Sequence, residues 1–270
     1  LDAALLVLDR IGQGGMYDLL GGGFARYSVD EEWRVPHFEK MLYDNAQLLV
    51  AYTDGWRVNA SPQYAEIVRR TVRWALEEMR LDGGAFAASQ DADSDGQEGT
   101  FFAWSLDELA AVLDPTDAER FAAVAGVSAA GTFENGRSVL RLERPMHQLD
   151  RRERSLVARC IPRLFRVRKQ RVAPGRDDKV VTAWNGLMIR ALARAGAMFD
   201  EPAWIEAAAD CARFLLESVT VDGRLMRTYK DGRAHIPAYA DDHAALMLGL
   251  VDLYEASFDR TWLDHALVVA

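Results

Sequence analysis

The chain has 270 residues, 50% of them hydrophobic and 27% charged, a globular composition that excludes disordered and collagen-like classes. A formal net charge of −9 leaves no surplus of Lys and Arg to neutralise a phosphate backbone, so no nucleic-acid partner is expected. No run of about 18 apolar residues is present, so no membrane span is expected, and no signal peptide is visible.

Taken in chain order, residues 1–11 already read as a helix. A helix is next expected over 38–56, where Leu42, Leu48, Leu49, Tyr52 and Trp56 follow the 3.6 period. Another is expected over 62–79, with Ser61 as N-cap and Pro62 at the first helical position. The turn Asp82-Gly83-Gly84 precedes a β-like piece at 85–88, and a second such piece covers 100–104. Helical patterns follow at 106–113 and 116–125, then a β-like piece at 139–142. The helix expected over 150–167 contains Pro162, which is expected to bend or break it. Helices over 180–198 and 202–219, a turn at Asp222-Gly223-Arg224, a strand over 225–229, and helices over 240–257 and 261–270 complete the set. The basic stretch 163–176 reads as a solvated helix face. The pattern is mostly helix with small hairpin inserts. Both ends stop inside helical patterns, so the chain is expected to be a single-domain piece, residues 1–270, of something longer.

A repeat organises these helices. Asp44-Asn45, Trp184-Asn185 and Asp241-Asp242-His243 each place polar residues near the N-terminal end of an apolar helix. Asn185 and Asp242 are 57 residues apart, the length of two helices with connections, and Asn45 precedes Asn185 by 140. A repeat of helix pairs implies a solenoid or a closed ring. In a ring, these ends converge on one mouth of a central cleft. Simple N-capping is the alternative.

Three segments hold the candidate chemistry. In 14–47, His37 follows Pro36 and leads into the expected helix, where Glu39 and Tyr43 stand at i, i+4. A His beside a Glu at a cleft suits general acid–base work, and a loop-bracing His is the alternative. Gly21-Gly22-Gly23 lacks the preceding strand and spacing of a dinucleotide loop, and reads as a tightly packed loop. In 89–99, the acids mimic a calcium loop, but Phe102 stands where the bidentate Glu is required, so no EF-hand is expected. Asp91, Asp93 and Glu98 then either bind sugar hydroxyls, serve as acid and base, hold calcium or magnesium in another arrangement, or form a solvated turn. In 177–185, Trp184 and Asn185 suit a sugar ring, which needs an apolar face and an amide, although Trp184 reads equally well as core. Cys160 and Cys211 show neither CxxC nor Cys/His spacing, which argues against zinc and dithiol chemistry and fits a reducing compartment. No metal or cofactor is expected.

The segments GGMYDLLGGGFARYSVDEEWRVPHFEKMLYDNAQL, SQDADSDGQEGTFFAW and DDKVVTAWNGLMI together resemble the spermatogenesis-associated, thioredoxin-domain-containing protein family. The resemblance runs over nearly the whole chain. It implies an all-α fold, an (α/α) toroid of six-hairpin type that is incomplete here, with an absent N-terminal thioredoxin-like domain as its partner in the full-length chain. Such toroids are similar to those of N-acylglucosamine 2-epimerase and six-hairpin glycosidases, so a small-molecule carbohydrate ligand is expected. The cysteine usage and the lack of a visible signal peptide make the expected location cytoplasmic. The candidate catalytic residues are His37, Glu39, Asp91 and Asp242. The candidate substrate contacts are Tyr17, Asp18, Tyr43, Asp44, Asn45, Asp93, Glu98, Trp184, Asn185, Asp241 and His243. Sugar binding with isomerisation or epimerisation, glycoside hydrolysis, and a non-catalytic interaction module are the functions that remain open.

Overall fold

The computed structural model describes residues 1–270. Its ten α-helices are α1 (Asp2–Gln13), α2 (Leu42–Asn59), α3 (Pro62–Trp74), α4 (Leu106–Val112), α5 (Pro115–Ala125), α6 (Arg151–Arg168), α7 (Thr182–Phe199), α8 (Pro202–Ser218), α9 (Ala240–Ser257) and α10 (Arg260–Val269). Local chemistry sets many of the boundaries. Pro62, Pro115 and Pro202 open α3, α5 and α8, where a missing N–H costs nothing. Ser105 and Glu108 close a capping box on α4, and Asp150 and Glu153 close one on α6. Gly126, at φ +71°, ends α5 in the left-handed conformation.

Several expectations change. The second helix begins at Leu42, so Glu39 lies in the extended lead-in and is no helical i, i+4 partner of Tyr43. Phe38 is drawn out of the helix by an aromatic cluster, stacked on Phe102 and edge-on to Phe133 with 5.3 Å between ring centroids in each case. Pro162 does not break α6, which runs on to Arg168 because its apolar face, with Leu156, Cys160, Ile161 and Leu164, is buried on both sides of the proline. The β-like pieces near residues 86 and 104 are reduced to single bridges, Arg80 to Phe86 and Trp104 to Ser138. The strand expected over 225–229 is present as Arg224–Lys230.

The chain divides into two compact units, Leu1–Lys40 with Asp91–Gly175, and Met41–Gln90 with Arg176–Ala270. In the first, α4, α5 and α6 bury Trp104, Leu109, Phe121, Leu140 and Leu164 in one core. A short antiparallel hairpin pairs Tyr27 with His37 and Ser28 with Pro36. A second pairs Asp93 with Glu98 and Ser94 with Gln97. Its two-residue loop, Asp95-Gly96, has φ of +55° and +74°, as a type I′ turn requires. The acidic segment that mimics a calcium loop is therefore a hairpin turn.

In the second unit, α7 packs on α2, α8 and α9, and α9 packs on α10. The contact between α7 and α9 is made by backbone. A Cβ on Gly186 would lie 2.6 Å from the Ala245 carbonyl carbon, and one on Gly249 would lie 2.6 Å from the Gly186 carbonyl oxygen. Only glycine permits that approach. No helix is long and apolar enough to cross a membrane.

Gly249→Ala forces these two helices apart. It is expected to cost about 1–3 kcal/mol, the range for an overpacked core, and to be read as a lower midpoint in thermal denaturation. An unchanged midpoint would show that the α7–α9 contact tolerates a methyl group.

Candidate functional site

In the first unit, the hairpin register puts His37 beside Tyr27, and the two rings stack with 5.1 Å between centroids and 25° between planes. The second hairpin delivers Glu98. Its Oε1 lies 2.8 Å from His37 Nδ1 and accepts the Phe38 N–H at 3.3 Å. A carboxylate oxygen only accepts, so Nδ1 is the donor, and in the neutral imidazole Nε2 then carries the lone pair. Glu39 Oε2 stands 3.8 Å from Nε2 and receives Arg26 Nη1 at 3.0 Å. The His37 side chain is 28% exposed, Glu39 25% and Glu98 42%, so solvent and small molecules reach all three. The outcome is an oriented imidazole with a carboxylate on either side and an aromatic ring against its face.

Beneath it lies a buried ion triad. Arg168 donates from Nη1 and Nη2 to the two Asp18 oxygens at 2.7 and 2.9 Å, and Lys40 Nζ donates to Asp18 Oδ2 at 2.8 Å and to the Gly22 carbonyl at 2.8 Å. Asp18 Oδ1 also accepts the Leu20 and Gly21 N–H groups. The glycine triplet makes room for this. A Cβ on Gly21 would lie 2.2 Å from Arg168 Nη2. Burial acts to raise the Asp18 pKa. The Arg168 and Lys40 charges, with hydrogen bonds from Arg168 and Gly21, overcome that and hold the carboxyl well below the usual range. Tyr17 is buried next to it, 5.1 Å from Phe24 between ring centroids. Asp18 and Tyr17 therefore brace the chain around His37 and do not face solvent. Asp91 and Asp93 are exposed on the second hairpin, where Asp91 Oδ1 accepts the Asp93 N–H at 3.3 Å. Only Glu98 of this acidic segment reaches His37.

In the second unit, the repeated polar residues are ties between backbone segments. Asn185 donates to the carbonyls of Phe86 and Val181, both at 3.1 Å, and its Oδ1 accepts the Phe86 N–H at 2.8 Å. Its amide is fully engaged and fully buried. Asn45, likewise buried, donates to the Met41 carbonyl at 2.9 Å. Asp242, fully buried, accepts the Ala183 and Tyr239 N–H groups at 3.0 and 2.9 Å and pairs with Arg227 at 2.8 Å. Asp241 is exposed and shares Arg227 at 3.2 Å. His243 lies with Nδ1 2.8 Å from the Val269 carbonyl, which it serves as donor. Asp44 is half-buried in the first turn of α2. Trp184 is half-buried and packs at 4.8 Å, tilted by 55°, on Tyr43. Of the second unit's candidate set, Asp241 is exposed and Tyr43, Asp44, Trp184 and His243 are half-buried, while Asn45, Asn185 and Asp242 are closed to a ligand.

No family profile matches the chain. Over 98% of its length it is 32% identical to Spermatogenesis-associated protein 20 of Homo sapiens, and it spans 39% of that relative. The chain thus covers about two fifths of the curated relatives it matches. Among solved structures, the chain is similar to cellobiose 2-epimerase from Bacillus thermoamylovorans (TM-score 0.58, 9% identity, 94% of this chain and 49% of that one). It is also similar to an unsaturated glucuronyl hydrolase specific for heparin (TM-score 0.54, 11% identity, 99% of this chain and 52% of that one). These likenesses show the fold: an all-α, (α/α)-toroid type with small antiparallel inserts.

Sequence reasoning passed over Arg26 and Tyr27. The signal for them was the hairpin register, which places Tyr27 opposite His37 once Pro36-His37 is read as a strand.

The triad carries a testable linkage. An Asp with a depressed folded pKa stabilises the fold above its unfolded value of about 3.9, and that contribution is lost as pH falls toward the folded value. Asp18→Asn strands two buried cations and is expected to cost about 3–5 kcal/mol at neutral pH. Denaturant titrations from pH 7 to 2 should also show a flatter acid decline in the variant. Equal acid declines in the two proteins would remove Asp18 as a source of the pH dependence.

Proposed function

We propose that the chain belongs to the family of Spermatogenesis-associated protein 20 and acts on a carbohydrate, with His37 as the general acid–base of a sugar isomerisation or epimerisation. The observation that carries this is the arrangement at His37. Glu98 accepts the Nδ1–H hydrogen bond, which leaves Nε2 of the neutral imidazole to take the proton from the carbon beside the carbonyl of an open-chain sugar. Nε2 returns it to the former carbonyl carbon while the hydroxyl proton passes to the carbonyl oxygen. Epimerisation would need that proton returned from the opposite face by a second acid. Glu39, held by Arg26, accepts a hydrogen bond from a sugar hydroxyl. Tyr27 backs the imidazole. The named relatives and the toroid enzymes support the same reading, at the level of family and fold. Glycoside hydrolysis is the second reading, favoured by the two carboxylates on either side of His37. A thioredoxin-like domain in the full-length protein and a cytoplasmic location belong to the proposal. Free, buried Cys160 and Cys211 fit a reducing compartment. Residues 1–270 are proposed as one domain.

Proton transfer is read directly by deuterium incorporation from heavy water into aldohexoses, followed by NMR. His37→Ala is expected to lower exchange by about 10²-fold or more while the melting temperature stays put. Exchange that persists in this variant would sink the assigned role. Release of new reducing ends from oligosaccharides, dependent on both Glu39 and Glu98, would favour hydrolysis instead.

The domain proposal predicts a single calorimetric transition with equal calorimetric and van't Hoff enthalpies. Two resolved transitions would overturn it.

A further inference from the structure

The hairpin that carries His37 also carries Trp33 in a conformation that bulky residues avoid. Its φ is +58°, in the left-handed region. The surrounding chain imposes it. The Gly15 N–H donates to the Trp33 carbonyl at 2.8 Å, and the Trp33 N–H donates to the Asp30 carbonyl at 3.3 Å. The Asp30 carboxylate accepts the N–H groups of Arg34 at 3.1 Å and Val35 at 2.5 Å. The loop is seated on two glycines. A Cβ on Gly14 would lie 2.6 Å from the Trp33 carbonyl oxygen, and one on Gly15 only 1.9 Å from that of Arg34.

Trp33 is half-buried and lines a surface groove of about 450 Å³ together with Arg10, Gln13, Arg34, Arg141 and Glu143. Arg141 is fixed by Glu143 at 2.5 Å, and its buried Nε has no hydrogen-bond partner within the protein. An indole face beside guanidinium, amide and carboxylate groups offers an apolar surface with donors and acceptors around it. Those are the features of a pyranose site, where the C–H face stacks and the hydroxyls hydrogen-bond. Glu31 and Glu32 also line the groove, so its three arginines face three carboxylates and it has no preference for an anionic sugar.

We propose that the Trp33 groove is a second carbohydrate subsite, which holds a further unit of a neutral oligosaccharide whose reacting unit lies at His37. This rests on the carbohydrate reading of His37. Trp33 and His37 are four residues apart, so their Cα atoms are separated by at most about 14 Å, within reach of one short oligosaccharide.

The test is calorimetric titration of glucose, mannose, cellotriose and mannotriose into the wild type, Trp33→Gly and Trp33→Asn. Glycine and asparagine both accept the left-handed conformation, so the variants keep the loop and its melting temperature. The wild type is expected to bind a trisaccharide at least about tenfold tighter than the matching monosaccharide. Both variants are expected to lose that advantage and keep the monosaccharide affinity. Monosaccharide binding with no length advantage, or an advantage that survives both substitutions, overturns the subsite alone. A wild type that binds none of the four overturns the carbohydrate reading and the subsite with it. A fall in melting temperature and in affinity for every ligand shows that Trp33 is structural, which also overturns the subsite.

Discussion

The buried carboxylate of Asp18 is the constraint on which the first unit depends. It gathers Arg168 from the end of α6, Lys40 from the chain just after His37, and two backbone N–H groups from the glycine loop. Each cation alone would be intolerable at that depth, and a carboxylate alone would be protonated. Together they are stable only in one arrangement. That arrangement fixes the exit of the hairpin three residues beyond His37. The imidazole can then be aimed by a single hydrogen bond to Glu98, because the backbone beneath it has no alternative seat.

The second unit solves a similar problem with neutral groups. Its inner helices touch through glycine, and such close contact leaves the residues at the helix starts little room for side chains. Asn185 and Asp242 fill these positions by binding backbone N–H and carbonyl groups that the short extended pieces leave unpaired. A repeat of polar residues at helix starts thus has a mechanical origin here. Asn185 and Asp242 each sew the start of a helix to the segment packed beside it. The aromatic half of the repeat, the half-buried Tyr43–Trp184 pair, is held by ring contact.

The helices were legible in the sequence because their signals are local. Period, a Ser N-cap and Pro at the first position are all read within a few residues, and all ten helices stand close to where those signals put them. Glu39 was misplaced because the apolar spacing of Phe38 and Leu42 is shared by a helix and by an extended lead-in. The choice is made by Phe102 and Phe133, more than 60 residues away in sequence. The same distance hid the partnership of His37 with Glu98, which depends on two hairpins meeting. The Asp95-Gly96 pair was the local clue, since Asp-Gly between short polar strands is a type I′ turn signal. It was masked by the chance spacing of acids that resembles a calcium loop. Trp33 left no trace, because nothing in its neighbours' identities announces a left-handed tryptophan.

The chemistry at His37 turns on how its two carboxylates differ. Glu98 binds the ring nitrogen and a backbone N–H through one oxygen, so its first duty is to orient the imidazole. Glu39 binds a guanidinium, and its distance of 3.8 Å from Nε2 is too long for a hydrogen bond in the absence of a ligand. The space between Nε2 and Glu39 is therefore the place where a substrate hydroxyl or carbon acid would be met by a base and an acceptor at once. Hydrolysis asks for two carboxylates that act directly on the glycosidic bond, one as acid and one as base or nucleophile. Here one is already committed to the histidine. Proton transfer by the imidazole asks for a ring nitrogen left free by Glu98, which is why the proposed isomerisation stands ahead of hydrolysis.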